Sequence, residues 1–191
     1  MAHKFDNKNK SKLDNEERRI ELPPQGTLEL LGYAGDEDFA DIGCGIGYFT
    51  IPAAQMAKAS SKIYALDITD EMLKDVEERA SEAGLNNVEI VKVDEYDLKL
   101  TEESVGYALL STVFHEIDDK KRYLEEIHRI IKRGGRLAII EWEKVEGKKG
   151  PPVEHRVSYE ELLELLNKYG FAGSMKFLIS QNYYGIIAIR K

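Results

Sequence analysis

The feature that most constrains this chain is a short apolar run that stops at alternating glycines. Phe39–Ile42 leads directly into Gly43, Cys44, Gly45, Ile46 and Gly47. Glycines at alternate positions let the backbone turn tightly and approach a ligand with no Cβ in the way. Ile51, Ala54 and Ala57 follow at helical spacing, so the stretch reads as strand, turn, helix. The unit then recurs. Residues 63–66 are the next apolar run, and Met72, Leu73, Val76, Ala80 and Ala83 mark a helical face that Gly84 is suited to close. Residues 88–93 alternate apolar and polar, and residues 107–111 form a run. Tyr123, Leu124, Ile127, Ile130 and Ile131 make another helical stripe, ended by Gly134 and Gly135. Strand-like residues 137–140 come next, then a helix opened by the capping box of Ser158 and Glu161, then β-like runs at 175–179 and 184–189.

Strands alternating with helices at this spacing require right-handed crossovers, hence a doubly wound α/β fold with helices on both faces of a mostly parallel sheet. The closing hairpin adds one antiparallel strand. In such sheets ligands bind beyond the carboxyl ends of the strands, so functional residues are expected just after each strand-like run. The length, 191 residues, fits a single domain. The net charge of −8 argues against a nucleic-acid or anionic-membrane partner. The one cysteine, Cys44, cannot form an internal disulfide, which fits a reducing compartment. With no apolar stretch long enough for a bilayer and a polar N-terminus, the chain reads as cytoplasmic.

The glycine spacing is G-x-G-x-G, with Tyr48 where a dinucleotide-binding loop would carry its third glycine and no Lys-Ser/Thr for a P-loop. Asp41 just before the loop would repel a pyrophosphate; it suits a zwitterion that carries an ammonium group and a carboxylate. Asp67 ends the second run, where a carboxylate can accept both hydroxyls of a ribose cis-diol. Its alternative is a helix cap, although Thr69 and Asp70 stand closer to that helix. Asp94 follows the third run, placed to accept an adenine amino hydrogen, with Glu95 beside it.

These residues resemble the class I, seven-stranded S-adenosylmethionine-dependent methyltransferases, and more narrowly the small-molecule branch that includes quinone-biosynthesis enzymes. The likeness spans roughly residues 38–142. Phe39 to Gly47 resembles motif I, Asp67 the ribose acid and Asp94 the adenine-site acid, while residues 128–137 resemble the turn before the fifth strand. Two positions depart from the family pattern: Arg133 replaces a proline, and Gly106 stands where an acid usually precedes the fourth strand. The resemblance implies S-adenosyl-L-methionine as cofactor, held by Asp41, Gly43, Cys44, Gly45, Gly47, Asp67, Ile68, Met72, Asp94, Glu95 and Ser111. It also implies in-line displacement of a methyl group onto a small-molecule acceptor, by a monomer or homodimer.

His115 follows the fourth run and is the candidate general base and acceptor contact; Glu116 is a weaker alternative. Asp118 is expected to cap the helix that starts near Asp119. Trp142 at the fifth strand end and Arg156 in the connection at 143–157 are candidate substrate contacts, that connection being a possible flap. The sequence around Ser111, Thr112, Val113 and Phe114 lacks the Asn/Asp-Pro-Pro-aromatic tetrad of amino-methylating nucleic-acid enzymes. No metal site is expected. Residues 1–35 read as an N-terminal cover on the single domain, with Phe5, Leu13 and Ile20 as docking residues. The competing functions are a nicotinamide-dependent oxidoreductase and a non-catalytic S-adenosylmethionine-binding subunit.

Overall fold

The computed structural model describes residues 7–146 and 149–191, with side chains from residue 10 onward. Seven strands form one sheet: β1 (Phe39–Ile42), β2 (Ile63–Asp67), β3 (Val88–Lys92), β4 (Val105–Ser111), β5 (Ile131–Trp142), β6 (Phe171–Leu178) and β7 (Tyr183–Arg190). Their order is β3-β2-β1-β4-β5-β7-β6, and β7 runs antiparallel to both of its neighbours. The strand order therefore reverses between the parallel neighbours β1 and β4, the switch point at which such sheets open a crevice.

Period-two alternation sorts the strand side chains into two cores. Ala40, Ile42, Ala108, Leu110, Leu137 and Ile139 face one side, against Leu124 and Ile127 of α5 (Lys120–Ile130) and Leu162 and Leu166 of α6 (Tyr159–Lys168). Phe39, Tyr107, Leu109, Ala138 and Ile140 face the other, against Leu28 of α2 (Pro24–Leu30) and Ala53 of α3 (Thr50–Met56). Burial on both faces makes β4 almost entirely apolar. Before these comes α1 (Glu16–Glu21), and α4 (Asp70–Glu82) follows β2. Ser158 and Glu161 form the reciprocal capping box that opens α6.

Three local expectations change. The cap of α5 is Asp119, whose Oδ1 accepts the Arg122 N–H at 3.0 Å, and not Asp118. Ile131 belongs to β5 and not to the helix, which stops at Ile130. Gly134 and Gly135 accordingly lie inside a bulged entry to β5, where the register skips from Val105↔Ile131 to Tyr107↔Arg136. A Cβ on Gly135 would come within 2.8 Å of the Gly106 and Lys132 carbonyl oxygens. Gly106 is the second residue of β4 rather than a residue before it, and Glu37 fills the space beside it: a Cβ there would meet Glu37 Oε2 at 2.7 Å. The acid that residue 106 lacks is supplied from the segment before β1.

Candidate ligand cavity and the carboxylates that line it

A cavity of about 470 Å³ opens above the carboxyl ends of β1, β2, β3 and β4. It is built from the turns that follow those strands. Gly43 (φ +71°) lies so close to Val113 that a Cβ would come within 2.6 Å of Val113 Cγ2; only glycine lets the two turns meet. Gly45 donates its N–H to Asp67 Oδ2 at 3.0 Å, and Thr69 donates to Oδ1 at 2.9 Å, so backbone on both sides aims the carboxylate. Asp67 is thus tied to the turn before α4, but the N-cap position of that helix is Thr69, not Asp67, and the Thr69 side chain makes no capping hydrogen bond. Accepting one N–H on each oxygen leaves lone pairs for further donors.

Asp41 is 2% exposed, and its Oδ2 accepts the Thr50 hydroxyl at 2.6 Å. Burial pushes its pKa up to about 7, and the neighbouring Asp67 charge adds to the rise. Burial also raises Asp67, against the N–H groups of Gly45 and Thr69 that hold it down. Two carboxylates at one cavity favour a cationic guest. Burial likewise raises the Cys44 thiol, with Asp41 and Asp67 adding to it, so Cys44 is a wall residue and no nucleophile.

Of the expected cofactor set, Asp41, Gly43, Cys44, Gly45, Asp67, Ile68, Met72, Asp94, Glu95 and Ser111 all line this cavity. Gly47 does not; it lies against Val76, where a Cβ would sit 3.3 Å from Cγ2, and serves packing onto α4. The Asp94 carboxylate is 76% exposed and pairs with Lys99 at 2.9 Å. Ser111 Oγ is buried without a hydrogen-bond partner. Next to it Thr112 has φ +57°, an uncommon conformation for a β-branched residue, and such strain clusters at functional sites.

Leu13, one of the three expected docking residues, reaches the cavity from the N-terminal segment. Other lining residues carry no local sequence signal: Arg18 reaches the cavity from the same segment and lies over the Tyr48 ring at 4.7 Å. Tyr123 arrives from α5, where its apolar spacing marked it only as core. Phe5 lies outside the described residues, and Ile20 is 75% exposed rather than docked.

The three candidate substrate residues stand apart from the cavity wall. His115 sits in a 3₁₀ turn, Phe114–Glu116, between the end of β4 and α5, beside the fully buried Glu141. Trp142 packs on Tyr183 with ring centroids 4.3 Å apart. Arg156 is 5% exposed, and its guanidinium donates to the carbonyls of Glu143, Val145, Lys149 and Pro151, so it braces the 143–157 connection instead of presenting a free fork to an anion. Gly147 and Lys148 of that connection lie outside the described residues. Among the described residues no helix is long and apolar enough to cross a membrane, and no cluster of His, Cys, Asp or Glu is placed to hold a metal ion.

Residues 40–139 match the sequence model of a family described as a methyltransferase domain. Over 115 residues the chain is 28% identical to the demethylmenaquinone methyltransferase of Listeria monocytogenes serotype 4a, covering 60% of this chain and 48% of that protein. Over 101 residues it is 30% identical to the demethylmenaquinone methyltransferase of Geobacillus stearothermophilus, covering 53% and 43%. The chain thus spans about half the length of the curated relatives it matches. Among solved structures, a SAM-dependent methyltransferase from Aquifex aeolicus superposes with a TM-score of 0.93 at 30% identity, over 98% of this chain and 100% of that one. A phosphoethanolamine N-methyltransferase of Haemonchus contortus in complex with S-adenosyl-L-methionine shares the fold, with a TM-score of 0.73 at 16% identity over 90% of this chain and 52% of that one.

Proposed function

Because the chain belongs to the methyltransferase family whose model matches residues 40–139, we propose that its cavity binds S-adenosyl-L-methionine and that the protein methylates a planar, quinol-like small molecule. The observation that carries this reading is the Asp67 carboxylate, aimed by the Gly45 and Thr69 N–H groups into the same cavity as buried Asp41. Asp67 accepts the ribose hydroxyls. Asp41 faces the cationic end of the ligand, and the unpartnered Ser111 Oγ and the Arg18 guanidinium offer hydrogen bonds to its amino-acid portion. Ile68, Val93, Leu98 and Tyr123 form the apolar wall for a flat base, with Asp94 and Glu95 at its edge.

The bound sulfonium supplies an already reactive methyl group. The chain's task is to align donor and acceptor and to exclude water, and orientation alone is worth about 7–11 kcal/mol. Residues 7–21 act as the cover on a single domain, whereas residues 22–35 of the expected cover are part of the fold proper, with Leu22, Leu28, Leu31 and Tyr33 packed in the second core. Lys10 reaches Asp75 at 2.6 Å and Asp14 reaches Arg79 at 2.9 Å, both on α4, while Lys149 reaches Glu21 at 2.6 Å. The quinol-like acceptor comes from the likeness to demethylmenaquinone methyltransferases and from the Trp142–Tyr183 aromatic pair at the β5 end. The same Asp41 that suits a sulfonium zwitterion disfavours a nicotinamide dinucleotide.

Calorimetric titration with S-adenosyl-L-methionine tests the reading. Asp67→Ala is expected to weaken binding by about 1.5–3 kcal/mol, the scale for losing hydrogen bonds to a charged group. An unchanged affinity in the folded variant would remove Asp67 from the site. Turnover of a short-chain demethylmenaquinol with labelled donor tests the acceptor class.

A further inference from the structure

Glu141, at the end of β5, has no cofactor or cavity role, yet it is a carboxylate with 0% exposure in the middle of the functional end of the sheet. An unpaired buried carboxylate is strongly disfavoured, and this one is met by three N–H groups. His115 Nδ1 lies 2.9 Å from Oε2 and 3.1 Å from Oε1, the His115 backbone N–H donates to Oε1 at 3.1 Å, and the Trp142 N–H donates to Oε2 at 3.3 Å. The ring and the backbone of one residue are therefore clamped by one carboxylate. A carboxylate accepts, so the ring nitrogen facing it carries the proton, and in the neutral ring Nε2 keeps its lone pair. Nε2 lies 3.9 Å from Glu116 Oε1, and Glu116 lines the cavity. On the other side of Glu141 stands Trp142, stacked on Tyr183.

We propose that Glu141 is a positioning residue that fixes His115 as the Nδ1–H tautomer, making Nε2 the base for an acceptor whose hydroxyl must lose a proton as it is methylated. The proposal rests on the methyltransferase reading above and narrows its substrate class to hydroxyl-bearing aromatics with the acidity of a phenol. In the step the acceptor O–H gives its proton to Nε2. The freed electron pair, from oxygen directly or through the ring, forms the new bond to the methyl carbon. The pair of the breaking S–C bond returns to sulfur. The positive charge lost by the sulfonium reappears on the imidazolium, next to the Glu141 carboxylate that stabilises it; a ring-carbon acceptor then loses the proton on the methylated carbon to water while its oxygen takes one back, so one proton is released in all. The groups facing His115 are Glu141 from β5, Glu116 on the same turn and Lys120 from the start of α5. The two carboxylates raise the imidazole pKa against burial and Lys120, which lower it.

Nitrogen-15 NMR of the histidine rings tests the positioning without any acceptor. The expected result is an Nδ1–H tautomer for His115 in the wild-type protein, and in Glu141→Gln a mixed or reversed tautomer that titrates at lower pH. Kinetics with a short-chain demethylmenaquinol form the second arm. His115→Asn should lower kcat about 100-fold or more, the usual scale for losing a general base, with S-adenosyl-L-methionine affinity by calorimetry within about twofold of wild type. In Glu141→Gln the acidic limb of the kcat profile should move to lower pH, and Glu141→Asp should recover part of the loss. An Nε2–H tautomer in the wild-type protein, or full turnover in His115→Asn, overturns the proposal. If the wild-type protein leaves the quinol unmethylated, the acceptor class fails, and the tautomer alone decides whether Glu141 positions His115. If Glu141→Gln does not fold, the wild-type tautomer and His115→Asn still decide.

Discussion

Asp41 shows how a single side chain ties ligand affinity to proton concentration. Its carboxyl is buried and titrates near pH 7 in the free protein, whereas a cationic guest favours the ionised form. Binding must therefore expel a proton, and affinity for S-adenosyl-L-methionine is expected to fall about tenfold per pH unit below about pH 7. Calorimetry in buffers of different ionisation enthalpy measures the released proton; Asp41→Asn should abolish both the release and the pH dependence. Stability follows with the opposite sense. The native pKa lies above the unfolded one, so between about pH 4 and pH 7 the folded state holds the extra proton and loses stability as pH rises. Asp41→Asn is thus expected to melt higher than wild type at pH 8 and to lose that advantage near pH 4. Equal melting differences at both pH values would show that the buried carboxyl is not the strained group. Asp41 was legible because it sits two residues before the first glycine of the loop. The strain at Thr112 was not, since nothing in Ser-Thr-Val-Phe announces a positive φ.

At the scale of elements, the strand ends were readable and the joints between them were not. Alternation along β4 and β5 and the glycine loop after β1 are local patterns, so the switch point and the acids that follow β2 and β3 could be placed from residue order alone. The end of α5 could not. Its apolar stripe continues through Ile131 without interruption, and only pairing with β4 decides that Ile131 is strand. The glycine pair consequently serves a bulge in place of a helix cap. Gly135→Ala tests this: its Cβ would press on two carbonyl oxygens that belong to backbone and cannot swing aside. Overpacking of this kind costs about 1–3 kcal/mol. Denaturant unfolding should show that loss with cofactor affinity unchanged, because the bulge lies at the amino end of β5, away from the cavity. The burial of Glu141 was illegible for the same reason: it depends on what β7 and the Phe114–Glu116 turn place over it.

At the scale of the whole molecule, one described segment of the sheet's surroundings, residues 10–21, belongs to neither core. Residues 7–21 are held to α4 by Lys10 and Asp14 and to the β5 side through Glu17 and Glu21 with Lys149, pairs that are largely at the surface and weaken with salt. Removing residues 1–20 leaves Leu22 and Leu28 in place. It is expected to lower cofactor affinity and turnover more than melting temperature, and unchanged values of all three would reduce the segment to a tail. Cys44 offers a readout of the proposed cover. It is the chain's one thiol, 6% exposed, on the wall of the cavity that Leu13 overhangs. Its thiol is buried and held protonated, so labelling by an alkylating reagent is expected to be slow, and if residues 7–21 cover the cavity as proposed, deleting residues 1–20 should speed it. The labelling rate reports access to the cavity with no acceptor and no turnover, and a saturating ligand should stop the clock.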